Sequence, residues 1–238
     1  VQYFLMAILL STMVSSALAK TANGFPVGNY SLHFNKAGDI IQPDEYYVYK
    51  AVHDNQDGFK QSALKNFQKA ASYGNTFAVY YTGLLYLQVE DYVSGYAWLS
   101  MVETKGFPHA DNTLDLLHKL KNQLSSENIE SAKMLRDELE EVYGAEHAFE
   151  RRLAWSRDFK LTGTHIRGHV PNRLKIQTDL SHKAEVIVNG TANAMGANVT
   201  GNRVRKAINS FVYEYELDYR ITHGNVKLGD FDIIEANN

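Results

Sequence analysis

Between residues 44 and 155, apolar side chains return every three or four positions, the spacing of one buried face of an α-helix. Tyr46, Tyr49, Ala51 and Val52 open the series as a degenerate first helix starting near Asp44, and Asp54-Asn55-Gln56-Asp57-Gly58 breaks it. From Phe59 the pattern sharpens. Ala63, Leu64, Phe67, Ala70 and Ala71 form one face, Lys60, Lys65, Gln68 and Lys69 the other, and Gly74 is placed as a left-handed stop. A helix is predicted near Thr76 to Gln88, carrying Ala78, Tyr81 and Leu85, with Thr82-Gly83 small enough for a close antiparallel neighbour. Asp91 predicts the cap of a helix with Tyr96, Trp98, Leu99 and Val102 that Gly106 ends, and Pro108 is expected in the first turn of the next. Leu114, Leu117, Leu120 and Leu124 extend the stripe. Ser125-Ser126-Glu127 then signals a capped helix bearing Ile129, Ala132, Leu135, Leu139 and Val142, followed by a short one from Ala145 to Trp155. Short loops make neighbouring helices antiparallel.

Beyond Phe159 the period shortens to two. Phe211, Tyr213, Tyr215, Leu217, Tyr219 and Ile221 alternate with Glu214, Glu216, Asp218 and Arg220, the pattern of a half-buried strand. Asn189-Gly190 and Gly224-Asn225 stand where tight turns would join strands. The expected class is α+β: a short α-helical hairpin repeat followed by a small antiparallel β domain. The boundary is expected between Trp155 and Thr164, which divides the chain into a helical domain over 44–155 and a β domain over 156–238.

The N-terminus changes the expected compartment. Tyr3 to Val14 is an almost unbroken apolar run, and Ala17 and Ala19 supply the small-x-small pattern of a signal-peptidase site. Residues 1–19 are therefore expected to be a signal peptide, cleaved before Lys20, although no Lys or Arg precedes the run; an N-terminal anchor is the competing reading. No later stretch is expected to span a membrane after cleavage. Residues 20–43, rich in Gly, Asn and Ser, are expected to be a loosely ordered lead-in. The chain contains no cysteine, which removes disulfides, thiolate metal sites and cysteine nucleophiles. An exported protein stabilised by its core alone fits the bacterial periplasm, with the extracellular space as the other destination. Its formal charge of −3 over 238 residues makes no global case for nucleic acid.

Two stretches echo each other about 32 residues apart, a period typical of helical hairpins. Ala70-Ala71-x-x-Gly74-Asn75-x-x-Ala78 is answered by Val102-Glu103-x-x-Gly106-x-x-x-Ala110. With Thr82-Gly83-x-Leu85-Tyr86, Asp91-Tyr92 and Tyr96-Ala97-Trp98-Leu99, the stretch from Ala63 to about Tyr143 resembles the Sel-one-like branch of the tetratricopeptide superfamily. It departs from that pattern in a short loop between Tyr86 and Asp91 and in Thr82, where leucine is common. The resemblance implies an adaptor or scaffold, with no catalytic residue and no cofactor to carry over. Partner contact is expected through exposed side chains of the inner helices, Tyr80 and Leu84, which fall off the consensus core positions. Neither the partner nor the oligomeric state follows from the sequence.

Candidate chemistry concentrates after residue 160. His165, His169, His182 and His223 could offer imidazoles, and His165 and His169 share a face of a strand, but no carboxylate stands at a supporting spacing. Glu214, Glu216 and Asp218 could supply the carboxylate pair of a glycosidase, though they also fit the wet face of a strand. Arg203, Arg205 and Lys206 form too short a cluster to read as a nucleic-acid or membrane contact, and no phosphate loop or nucleophile elbow occurs. The leading expectation is an exported protein–protein interaction scaffold. The alternative is an envelope enzyme or ligand-binding module acting on glycan or peptide through the C-terminal part.

Overall fold

The computed structural model describes residues 32–35, 38–159, 161, 166–177 and 196–222. The expected signal peptide, His165, His182, His223 and both predicted Asn/Gly turns lie outside them. Within them the architecture is broadly α+β, mostly helical with two small antiparallel sheets. Part of the lead-in forms a hairpin of β1 (His33–Phe34) and β2 (Ile40–Ile41), closed by an Asn35 N–H bond to the Asp39 carbonyl at 2.9 Å. Seven helices follow: α1 (Pro43–Gln56), α2 (Lys60–Ala71), α3 (Thr76–Gln88), α4 (Tyr92–Ser100), α5 (Ala110–Gln123), α6 (Ser126–Tyr143) and α7 (Ala145–Asp158). Strands β3 (Arg173–Gln177) and β4 (Gly196–Thr200) pair antiparallel, Leu174 opposite Val199, and lead into α8 (Gly201–Thr222).

Local chemistry sets the helix ends. Asn75 Oδ1 accepts the Ala78 N–H at 3.0 Å, Asp91 Oδ1 that of Ser94 at 3.0 Å, and Ser125 Oγ that of Asn128 at 3.2 Å, each satisfying a donor the first turn leaves unpaired. Helix α4 ends at Ser100, earlier than the stripe through Val102 predicts, and Gly106 turns the chain further on, with a φ of 75°. Helix α5 begins at Ala110, after Pro108 rather than around it.

The first core lies among α1 to α6. Its alanines at 51, 63, 70, 71, 78, 97 and 132 let helices approach closely around Phe67, Trp98 and Leu99, each essentially inaccessible to water. Burying a side chain of that size stabilises the fold by about 1.5–3 kcal/mol. The second core joins distant segments: Phe34, Tyr73 from the α2–α3 turn, Trp155 and Phe159 from the end of α7, Val170, Leu174 and Val199 around the β3–β4 pair, and Val204, Ile208 and Phe211 of α8. Helix α7 packs on α8, so Trp155 anchors the second core rather than closing the first.

Residues Phe211 to Ile221, expected as a strand, are helical. The buried residues Val204, Ile208, Phe211 and Val212 follow a helical period, while Tyr213 and Leu217, which the alternation would bury with Phe211, stand 62% and 57% exposed. Packing on α7 decides the matter over a β-favouring composition. An antiparallel β structure over 156–238 is therefore represented, among the described residues, by the β3–β4 pair alone.

Candidate functional site

A cleft of about 230 Å³ opens where four parts of the chain meet. Gly74, Thr76 and Val79 form its lip at the start of α3, and Met101 and Glu103 follow α4. Glu140 and Tyr143 end α6, while Tyr215 and Asp218 come from α8. Two tyrosine rings and the apolar Val79 and Met101 form its walls, with the Glu103, Glu140 and Asp218 carboxylates on exposed residues. Burial, and then the neighbouring Tyr86, push the Tyr143 phenol well above its usual range, against the pull of Arg151. Behind it, Trp98 packs on Tyr143 with ring centroids 4.7 Å apart. Burial and Asp91 likewise push Tyr86 up to about 12, opposed by a hydrogen bond donated from Gln68 Nε2 at 3.2 Å. Both phenols thus stay protonated at neutral pH.

Two adjacent arginines of α7 hold the lip in place. Arg151 donates from Nη1 to the carbonyls of Ser72 at 3.1 Å and Val142 at 2.6 Å, tying the ends of α2 and α6. Arg152 is buried. It donates from Nε to the Tyr73 carbonyl at 2.6 Å and from Nη1 to the Phe211 carbonyl at 2.9 Å, and its Nη2 lies 3.7 Å from Asp44 Oδ2. Its guanidinium sits 4.0 Å from the Phe211 ring centroid and 4.1 Å from that of Tyr215, positions that gain cation–π attraction. Desolvation lowers its pKa, with Asp44 and then Tyr215 opposing the shift. Asp44 Oδ2 also accepts from Asn75 Nδ2 at 3.0 Å, while Asp44 Oδ1 has no partner among the described residues. One chain of contacts therefore runs from the α3 cap at Asn75 through Asp44 of α1 and Arg152 of α7 to Tyr215 on the cleft wall.

One sequence signal marks this arrangement. Ala148, Arg152, Trp155 and Phe159 share the buried side of α7 and its end, so a charge stands on an apolar stripe and demands partners.

The expected contact residues lie elsewhere. Tyr80 is only 6% exposed, because the segment after Gly106 folds over it: His109 stacks on its ring at 5.3 Å and 7°, and Phe107 meets it edge-on at 5.6 Å. Leu84 is half-buried against the first core. The exposure expected of Tyr80 is thus absent, Leu84 keeps part of its surface, and Val79, beside Tyr80, lines the cleft. His169 is exposed in the loop before β3, and no group of three or more potential metal ligands occurs among the described residues. Of the three alternating acids, Asp218 lines the cleft, while Glu214 borders a separate shallow depression on α8.

Two rings and three carboxylates around one opening suit an ammonium or guanidinium group, which can meet acids and aromatic faces together. No family model, curated protein or solved structure matches the chain.

Proposed function

We propose that this chain is an exported adaptor built on two Sel-one-like helical hairpins, α2–α3 and α4–α5, whose cleft takes a basic segment of a partner protein. The observation that carries the reading is the cleft itself, where Glu103, Glu140 and Asp218 surround an aromatic and apolar opening. Supporting the hairpin kinship, Gly74 and Gly106 both take left-handed backbone, with φ of 79° and 75°, in the turns that follow α2 and α4. Helix α8 completes the cleft through Tyr215 and Asp218, and the β3–β4 pair beside it supplies a second surface. The apolar run at Tyr3 to Val14 supports export to the periplasm. No helix among the described residues is long and apolar enough to cross a membrane.

The test is fluorescence anisotropy with labelled lysine- and arginine-rich peptides against acidic and neutral controls. Wild-type protein should bind the basic set in a salt-sensitive manner, and Glu103→Lys/Glu140→Lys should weaken it by tenfold or more, about 1.4 kcal/mol. Equal binding of acidic and basic peptides, or binding indifferent to the double reversal, would refute the assignment.

A further inference from the structure

The charge of this chain is segregated in a way its small total hides. Residues 151–213 hold eleven Lys and Arg against three Asp and Glu, although the whole chain carries −3. The fold gathers much of this excess around the loop before β3. Gly168 N–H bonds the Phe159 carbonyl at 2.9 Å, and Arg167 donates to the Asp158 carbonyl at 3.1 Å, which sets the loop against the end of α7 beside Arg157. On its other side Arg205 donates to the Val170 carbonyl at 2.7 Å and to Asn172 Oδ1 at 3.3 Å, and Gly201 N–H bonds the Asn172 carbonyl at 2.8 Å. Arg173 pairs in register with Thr200, next to the start of α8. The result is a basic rim of Arg157, Arg167, Arg173, Arg203, Arg205 and Lys206, drawn from four elements. Asp39 answers Arg203 by an exposed ion pair, Glu214 shares a depression with Arg205 and Lys206, and Asp158 is the one acidic residue described between positions 151 and 213.

Two features indicate an external anion. Helix α8 has no acidic residue in its first turn and carries three cations within its first six residues, where the helix dipole already concentrates positive potential. Such charges oppose the fold locally, and a partner of opposite sign relieves them. Next to Arg167 in the chain, Ile166 stands 62% exposed. We propose that this rim is a peripheral docking surface for an anionic phospholipid bilayer, with the arginines and Lys206 on headgroup phosphates and Ile166 inserted among the acyl chains. Polybasic surfaces with an exposed aliphatic group bind anionic lipid by the sum of both terms. Single-stranded nucleic acid fits less well, because it wants aromatic platforms: residues 166–173 and 201–206 contain no Phe, Tyr or Trp, and the exposed ring beside Arg205 and Lys206, Tyr213, shares its depression with the Glu214 carboxylate. The inference is independent of the cleft, which lies on other residues.

The experiment is co-sedimentation of the full chain with phosphatidylglycerol/phosphatidylethanolamine vesicles, with phosphatidylcholine vesicles and a single-stranded oligonucleotide as separate arms. Binding is read as the ratio of anionic to neutral vesicles. Anionic vesicles should be preferred, the preference should fade as salt shortens the screening length, and Arg157→Glu/Lys206→Glu should reduce it by about tenfold or more. Both positions are exposed, and Arg157→Gln/Lys206→Gln, expected to give a smaller loss of the same sign, guards against misfolding of the reversal. Ile166→Ser should weaken binding several-fold without changing its salt dependence. Equal affinity for neutral vesicles, indifference to both charge variants, or tighter binding of the oligonucleotide than of anionic vesicles would overturn the proposal.

Discussion

Replacing Gly74 by alanine strikes two independent constraints at once. The residue has φ of 79°, and an L side chain in left-handed backbone costs roughly 1–2 kcal/mol. An added Cβ would also collide with Tyr215 Oη and stand 2.5 Å from Cε2 and 2.6 Å from Cζ. A tyrosine ring at a surface could swing away, but this one lies on the Arg152 guanidinium, so its departure forfeits a desolvated cation–π contact of about 1–2 kcal/mol. The expected loss for Gly74→Ala is therefore about 2–4 kcal/mol, or a Tm reduction of several degrees for a chain of this size. Gly106 supplies the control. Its φ is 75° and nothing lies within 4 Å of its would-be Cβ, so Gly106→Ala should cost the backbone part alone. Urea unfolding followed by circular dichroism gives the stabilities, and tryptophan fluorescence reports both cores, since Trp98 sits in the first and Trp155 in the second. In a Tyr215→Ala background, Gly74→Ala should shrink to the Gly106→Ala value. The reasoning fails if Gly74→Ala costs no more than Gly106→Ala, or if its cost survives undiminished without the Tyr215 ring.

Two further outcomes follow from the same network. Arg152→Met should destabilise the protein by about 3–5 kcal/mol, because Asp44 remains buried without its cation, and Asp44→Asn should recover part of that loss in a double-mutant cycle. An additive cycle would show that the pair is not coupled. The raised Tyr86 phenol favours the protonated form in the folded state. Its contribution is complete below the unfolded value near 10 and disappears as pH climbs toward about 12, up to about 2–3 kcal/mol in all. Alkaline unfolding coincident with late tyrosinate absorbance, shifted in Tyr86→Phe, is the expected result.

Much of the helical half is legible in sequence because its signals are local. Asn75, Asp91 and Ser125 cap through bonds three residues away, and the helix predicted near Thr76 to Gln88 has those bounds. The C-terminal helix misled for a physical reason. Its alternating aromatics have strand composition, but burial is set by Val204, Ile208, Phe211 and Val212 against α7, an element whose proximity no local pattern reveals. Tyr80 misled in the opposite sense. Its position off the consensus face implied exposure, and the cover comes from Phe107 and His109, almost thirty residues on. The basic rim was visible as Arg203, Arg205 and Lys206 only. Arg167 and Arg173 come near it through the Arg167 bond to the Asp158 carbonyl, the Gly168–Phe159 bond and the β3–β4 pairing, with Arg157 beside that anchor on α7, none of which sequence spacing encodes.

The make-up of the second core bears on the order in which the chain can mature. All the residues of the first core precede Tyr143, so that core can close while the rest is still being made. Phe34, Tyr73 and Trp155, by contrast, gain their partners on α8 only when residues 204–211 have emerged. Until then the nascent chain presents an uncovered aromatic face with Arg152 at its centre. That interval is when a chaperone has most to hold.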